Sequence, residues 1–389
     1  MNIGFFAECY DPQINGVVMS MKNLEFELKK HGHNVFKFVP KIGNFIDNED
    51  NVFRQPSIKY FFQPEYNMAS LNIKEALSKA KEWNIQIAHA HGEFSLLIIA
   101  AKICRRLKIP LVFTFHTMWE YYLHYLLWGL VPKRLARRIL ASIYKRPDYF
   151  IVPSMKVKHY LENTLQVKKP IKIIPTGLKL DHFYNHNMNE KQRMLFRKKY
   201  GIKKNDFVLI FVGRVGKEKS IDVIIKGMRT LIKHHHHVKF LIVGDGPAKT
   251  KLEIKRKAYG LEKSIIFTGY ITWEKIPEAY QASDVFVFAS TSETQGLVTV
   301  EAMASGLPIV VKHDLAYTDI VKDNVNALIF KDNDEFASKV EKLILNPELC
   351  KNMSTNSINL SKNFTLTEFG KKVEKYYEWI LQDFQKNEY

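Results

Sequence analysis

Short apolar runs alternate along the chain with longer stretches in which apolar residues recur at helical spacing. This is the mark of strands buried on both faces and lying among amphipathic helices. The first run, Ile3–Phe6, is followed by a turn through Pro12 and Gly16, a helical pattern over Val18–His31 and a second run at Val35–Val39. The order continues with a helix over Ile73–Glu82, a strand at Ile85–His89, a helix over Phe94–Leu107, and strands at Leu111–Phe115 and Tyr149–Val152. A second series repeats the plan with strands at Val208–Val212, Lys239–Val243, Ile265–Thr268, Val285–Phe288, Pro308–Val311 and Ala327–Phe330. Such alternation predicts an α/β fold around mostly parallel sheets, and two series predict two doubly wound, Rossmann-like domains. Pro175–Phe183 interrupts regular structure and reads as the linker, so the expected domains are 1–180 and 181–365. A closing helical pattern carries Phe369, Val373, Tyr376, Tyr377, Ile380 and Phe384.

Length agrees with two domains, since 389 residues exceed what a single core serves well. Three scattered cysteines, Cys9, Cys104 and Cys350, make neither a disulfide framework nor a CxxC metal site and suit a reducing cytoplasm. No stretch has the roughly 20 apolar residues that cross a bilayer, and the start lacks the layout of a signal peptide. Charge changes the picture more. The net charge is +18, and residues 102–180 hold 16 Lys or Arg against 3 Asp or Glu, a surplus of +13. A positive field concentrated on one region points to a polyanionic surface, either nucleic acid or an anionic lipid leaflet.

Ligands of open parallel sheets bind beyond the carboxyl ends of the strands, which directs attention to the loops there. Pro12–Val18 opens a helix whose free amides and dipole favour a phosphate, with Gly16 permitting close approach; the same string would serve as a tight turn. Phe113–Thr117 ends on His116, able to donate a hydrogen bond to a substrate hydroxyl. Phe211–Lys219 places Arg214 and Lys219 after a glycine-bounded strand, a fork and a point charge suited to a leaving diphosphate. Val243–Pro247 turns tightly and carries no assigned chemistry. Ser290–Gly306 brackets a glycine turn with Glu293 and Glu301; Glu301, a turn or so into the following helix, can bind ribose hydroxyls while the helix amides hold phosphate. Asp332-Asn-Asp334 and the run His234–His237 read as solvated loops, so no metal site is expected.

These loops closely resemble those of the retaining glycosyltransferases of family four, over essentially the whole chain. That family has the GT-B fold, two Rossmann-like domains facing across a cleft. The carriers of the resemblance are Glu293 and Glu301 spaced as E-x7-E, Gly306-Leu-Pro after them, Arg214 and Lys219 spaced as GR-x4-K, and the Gly16 loop, all in the family's order. The resemblance implies that Glu293 meets the donor sugar, Glu301 the ribose, and Arg214 with Lys219 the diphosphate. It implies that Thr294, Gln295, Gly296 and Leu297 supply backbone amides, that Ile271 in Gly269–Thr272 contacts the base, and that His116 lies near the donor sugar. It also implies that the final helix, about 366–389, packs back on the N-terminal domain. The Glu-Thr-Gln-Gly-Leu string and the basic N-domain look most like bacterial and mycoplasma-type 1,2-diacylglycerol 3-alpha-glucosyltransferases. The expected reaction is transfer of a hexose from UDP-glucose or a related sugar nucleotide to diacylglycerol, with retention, no cofactor and no metal.

Residues 133–146 support the lipid acceptor. On a helical wheel Leu135, Ala136, Ile139, Leu140 and Ile143 share an arc, with Lys133, Arg134, Arg137, Arg138 and Lys145 on much of the other. Upstream, Trp119, Tyr121, Tyr122, Tyr125 and Trp128 suit headgroup depth, so a peripheral position on the cytoplasmic face of the cell membrane is expected. The same helix would also suit packing on its own domain with a solvated basic face. Rival readings are a family-four transferase with a phosphoinositide or soluble acceptor, such as a GDP-mannose enzyme, a nucleotide-sugar epimerase, and a basic nucleic-acid-binding protein.

Overall fold

The computed structural model describes residues 1–13, 15–59, 67–118, 132–184 and 187–387. It divides into two compact units, one of Met1–Gly177 with Leu366–Tyr389 and one of Leu178–Thr365. The chain thus leaves the first unit slightly earlier than the linker pattern suggested. Leu178 forms a bridge with Thr365, and its amide donates to Phe364 at 2.8 Å, so the second unit's two ends are tied together.

The first unit runs β1 (Asn2–Phe6), α1 (Gly16–Lys30), β2 (Asn34–Pro40), β3 (Val52–Gln55), β4 (Ser57–Lys59), β5 (Asn67–Ala69), α2 (Lys74–Glu82), β6 (Ile87–Ala90), α3 (Ser95–Leu107), β7 (Leu111–Thr114), α4 (Lys133–Ile143), β8 (Tyr149–Val152), α5 (Met155–His159) and β9 (Ile171–Ile173). Its seven-stranded parallel sheet has the order β3-β2-β1-β6-β7-β8-β9, with β4 and β5 as a separate antiparallel hairpin. Apolar side chains of β1, β6 and β7 point alternately into two cores, one under α2, α3 and α4 and one under α1 and the closing helix.

The second unit runs α6 (Asp181–Tyr184), α7 (Glu190–Lys199), β10 (Phe207–Val212), α8 (Ile221–Leu231), β11 (Val238–Val243), α9 (Lys249–Ala258), β12 (Ile265–Gly269), α10 (Ile276–Gln281), β13 (Val285–Phe288), α11 (Leu297–Ala304), β14 (Ile309–Lys312), β15 (Ala327–Phe330), α12 (Asn333–Ile344) and α13 (Pro347–Ser361). Its six-stranded parallel sheet has the order β12-β11-β10-β13-β14-β15. The last helix, α14 (Leu366–Asn387), belongs to the first unit, where Phe369, Val373, Tyr377 and Ile380 pack against α1. Glu374 of α14 also accepts from His31 and His33 at 2.6 and 2.7 Å.

Strand order reverses at β1/β6 in one sheet and at β10/β13 in the other, which opens a crevice at each carboxyl edge. The apolar pattern missed β3, the hairpin and β9. β3 is an edge strand whose Arg54 pairs with Asp47 at 2.7 Å and whose Gln55 donates to the carbonyls of Ser70 and Asn72, so polar residues stand where a central strand would be apolar.

Candidate active site

In the second unit, β13 carries the chain to Ser290, whose carbonyl accepts from the buried Tyr317 hydroxyl at 2.7 Å. Ser290 Oγ donates to Glu293 at 2.8 Å, and Lys219 Nζ donates to the same carboxylate oxygen at 2.6 Å. Lys219 and Glu293 are therefore one charge-assisted pair at the ends of β10 and β13. The chain then reaches Gly296 at φ +77, where a Cβ would lie 2.7 Å from the Tyr317 ring. Only glycine makes this left-handed turn against the tyrosine. Gly296 begins α11 with no side-chain cap, so the first-turn amides of Leu297 and Val298 are presented without one.

Arg214 stands apart from Lys219: it is 62% exposed and lies 3.8 Å from Glu218, one turn on. Its loop is held from below. Gly244, at φ +130, lets the Val243–Pro247 turn press backbone to backbone on the Arg214 loop, since a Cβ there would fall 2.0 Å from the Gly213 carbonyl. The turn that carried no assigned chemistry is thus the platform of a loop that does. Glu301 lies on the inner side of α11, half-buried, with the Tyr280 hydroxyl donating to it at 3.3 Å. Lost solvation raises its carboxyl from 4.5 to about 7, against the opposing pull of the Tyr280 hydrogen bond. Ile271 is half-buried on the loop after β12, beside exposed Tyr270 and beside Trp273, which stacks on His182 with ring centroids 4.3 Å apart.

At the first unit's carboxyl edge the connections after β6 and β7 carry histidines that burial keeps uncharged. β7 ends at Thr114, so His116 lies just beyond the strand, half-buried, with burial pushing its imidazole down to about 4. Its Nε2 is 3.1 Å from Nδ1 of His91, a residue outside the loops that the sequence marks as candidates. The signal was present: His89-Ala-His91 ends an apolar strand, and alternation puts both rings on one side, where their centroids are 4.0 Å apart. Glu8, after β1, accepts from the Leu96 amide at 2.6 Å and the Ser95 hydroxyl at 2.8 Å; burial raises it to about 7 despite those bonds. Glu93 is buried and accepts from Tyr144 at 3.2 Å.

One expectation changes here. The amides of Val17 and Val18 are not free for phosphate, because Asn15 Oδ1 accepts from both at 3.0 Å and caps α1 itself; Gly16 is exposed and open. Asp332 is exposed, as expected, and also caps α12 by accepting from the amides of Asp334 and Glu335. In α4 the apolar arc divides: Ala136 and Leu140 are buried, whereas Leu135 and Ile139 are each 50% exposed beside exposed Arg134, Arg137 and Arg138. Lys133 opens that helix, and Trp119 and Trp128 lie outside the described residues. Among the described residues no helix is long and apolar enough to cross a membrane.

Two doubly wound parallel units in this order are the architecture of the GT-B glycosyltransferases. The family description "Glycosyltransferase Family 4" matches residues 14–182, and "Glycosyl transferases group 1" matches residues 192–360. The alpha-monoglucosyldiacylglycerol synthase of Streptococcus pneumoniae is 32% identical, the match covering 100% of this chain and 88% of that protein. The Acholeplasma laidlawii protein of the same name is 32% identical, with 97% and 96% covered. Anabaena HepE in complex with UDP has the same fold, with a TM-score of 0.73 at 18% identity, covering 97% of this chain and 100% of that one. The chain belongs to family four of the glycosyltransferases and is a sugar-transferring enzyme with the GT-B fold.

Proposed function

We propose that this enzyme moves glucose from UDP-glucose to the 3-hydroxyl of 1,2-diacylglycerol at a membrane surface, with retention at the anomeric carbon. The observation that carries the reading is the Lys219–Glu293 pair beside the uncapped start of α11, which joins a cation for the leaving diphosphate to a carboxylate for the sugar. The relatives named as alpha-monoglucosyldiacylglycerol synthases support the sugar and acceptor, and the HepE complex with UDP supports the nucleotide.

In this reading the diphosphate lies on the amides from Thr294 to Leu297, with Gln295 and Gly296 shaping the turn. Lys219 and Arg214 take up the charge that grows as the sugar–phosphate bond breaks. Glu293, released from Lys219, accepts from sugar hydroxyls; Glu301 accepts from the ribose and Ile271 borders the base. The acceptor oxygen bonds to the anomeric carbon on the face the UDP leaves, and its proton passes to the departing phosphate oxygen. Atoms balance without a protein nucleophile. The two cations do the work that a metal would otherwise do, so none is required.

The acceptor reaches the enzyme from an anionic leaflet on the cytoplasmic side. Exposed Leu135 and Ile139 among Arg134, Arg137 and Arg138 give α4 an apolar ridge with a basic border, and Lys133, Trp119 and Trp128 extend the same chemistry in sequence. The test offers UDP- and GDP-sugars with diacylglycerol in anionic vesicles, with and without EDTA. Glucolipid made from UDP-glucose in EDTA supports the reading. Transfer only to soluble sugars, use of GDP-mannose alone, or a magnesium-reversible loss in EDTA contradicts it.

A further inference from the structure

His91 follows β6 directly and is 4% exposed. The Phe5 ring meets it edge-on at 4.8 Å and the His89 ring lies against it at 4.0 Å. One nitrogen, Nδ1, faces His116 Nε2 at 3.1 Å; the other, Nε2, is buried with no partner among the described residues. His89 offers it nothing, because its own nitrogens are taken by the hydroxyls of Tyr377 and Thr114.

Burial keeps both His91 and His116 uncharged, and each would repel charge on the other. Two neutral imidazoles that face one another share a single hydrogen between the facing nitrogens, which leaves two arrangements. If His116 Nε2 carries it, His91 must hold its own hydrogen on Nε2, where it points into apolar surroundings with no acceptor. If His91 Nδ1 carries it, only a lone pair is left bare at His91 Nε2. An orphaned buried donor is rarer and costlier than an under-used acceptor. We infer that His91 is a positioning residue that donates to His116 Nε2 and so holds His116 as its Nδ1–H tautomer, presenting a hydrogen-bond donor to a substrate hydroxyl.

The consequence for mechanism rests on the sugar-transfer reading above, whereas the tautomer does not. His116 in this form gives a hydrogen bond and cannot take the acceptor's proton at its donor nitrogen, so the proton's destination remains the departing phosphate. Fixing a tautomer through the nitrogen that does not meet the substrate is the way a neighbour controls an imidazole.

The experiment is two-bond proton–nitrogen correlation NMR on the unliganded protein carrying 15N-histidine, with His116→Gln used for assignment. The expected spectrum shows His116 protonated on Nδ1 and bare on Nε2. His91→Phe keeps an aromatic ring but removes the donor: the His116 pattern should shift towards Nε2–H, and kcat should fall about tenfold with KM unchanged. His91→Asn, whose carboxamide can donate from near the Nδ1 position, should restore both the tautomer and most of the rate. Nε2–H at His116 in the unaltered protein, or an unchanged His116 pattern in His91→Phe, overturns the assignment. Failure of glucose transfer would strike the substrate reading alone, because the spectrum needs no substrate.

Discussion

The carboxyl edges of the two sheets solve different problems with different chemistry. In the second unit the groups are ionised and paired: Lys219 with Glu293 at 2.6 Å, and Arg214 near Glu218. In the first, the histidines after β6 and β7 are kept neutral, with His89, His91 and His116 all pushed down by burial, and Glu8 is pushed up to about 7. In the proposed reaction the charged edge would hold the diphosphate and stabilise it as it leaves, and the neutral donors and acceptors would align hydroxyls.

The largest effect should come from the charged edge. Glu293→Ala should lower kcat on the order of a thousandfold if Glu293 has its proposed place as preorganised partner of the reacting sugar, while the thermal unfolding midpoint changes little. Because Lys219 and Glu293 act as one pair, the double replacement with Lys219→Ala should cost much less than the product of the two single losses. Additive losses, or near-normal activity in Glu293→Ala, would break the contrast between the edges.

Next comes pH. Glu301 has its carboxyl raised from 4.5 to about 7 in the folded protein, so the fold holds its proton more tightly than the unfolded chain does. The associated stability is full below pH 4.5 and is lost as pH rises to about 7, amounting to about 3 kcal/mol at most. Glu301→Gln should therefore stabilise the unliganded protein at pH 8 and not at pH 4, measured by urea unfolding. In the proposed role the carboxylate form of Glu301 accepts from the ribose hydroxyls, so UDP affinity should weaken as pH falls from 7 to 5.5, and this slope should vanish in Glu301→Gln. A pH-independent affinity in the parent enzyme would contradict the ribose role.

The smallest effect belongs to α4. Arg137→Glu with Arg138→Glu should reduce flotation with anionic vesicles at low salt, each charge near the leaflet contributing about 1 kcal/mol. Transfer to a detergent-dispersed acceptor should be little altered. Unchanged flotation would remove this face from the membrane reading.

The same contrast explains what the sequence disclosed. The charged edge was legible because its parts are close in sequence and chemically unusual: Glu293, Gly296 and Glu301 fall within one strand-to-helix connection, and Arg214 and Lys219 within another. The fold was legible because every central strand is an unbroken apolar run. Of the neutral edge only His116 was legible, because Glu8, His91 and Glu93 join it from two other connections, and a buried histidine in an apolar strand looks like core. The free helix start at Gly16 was misread for a related reason: whether an amide is open depends on where the Asn15 side chain turns. In α4 the wheel located the apolar arc but not its division, which depends on how deeply Ala136 and Leu140 sink into the unit beneath.

In the proposed reaction retention follows from a proton delivered to the leaving phosphate on the face being vacated, and it is read most directly in the product. Lipid made by the enzyme from UDP-glucose and diacylglycerol vesicles should show the α configuration at the new glucosyl linkage by proton NMR. A β linkage would mean attack from the opposite face with a protein base and would contradict both the mechanism and the donor role given to His116.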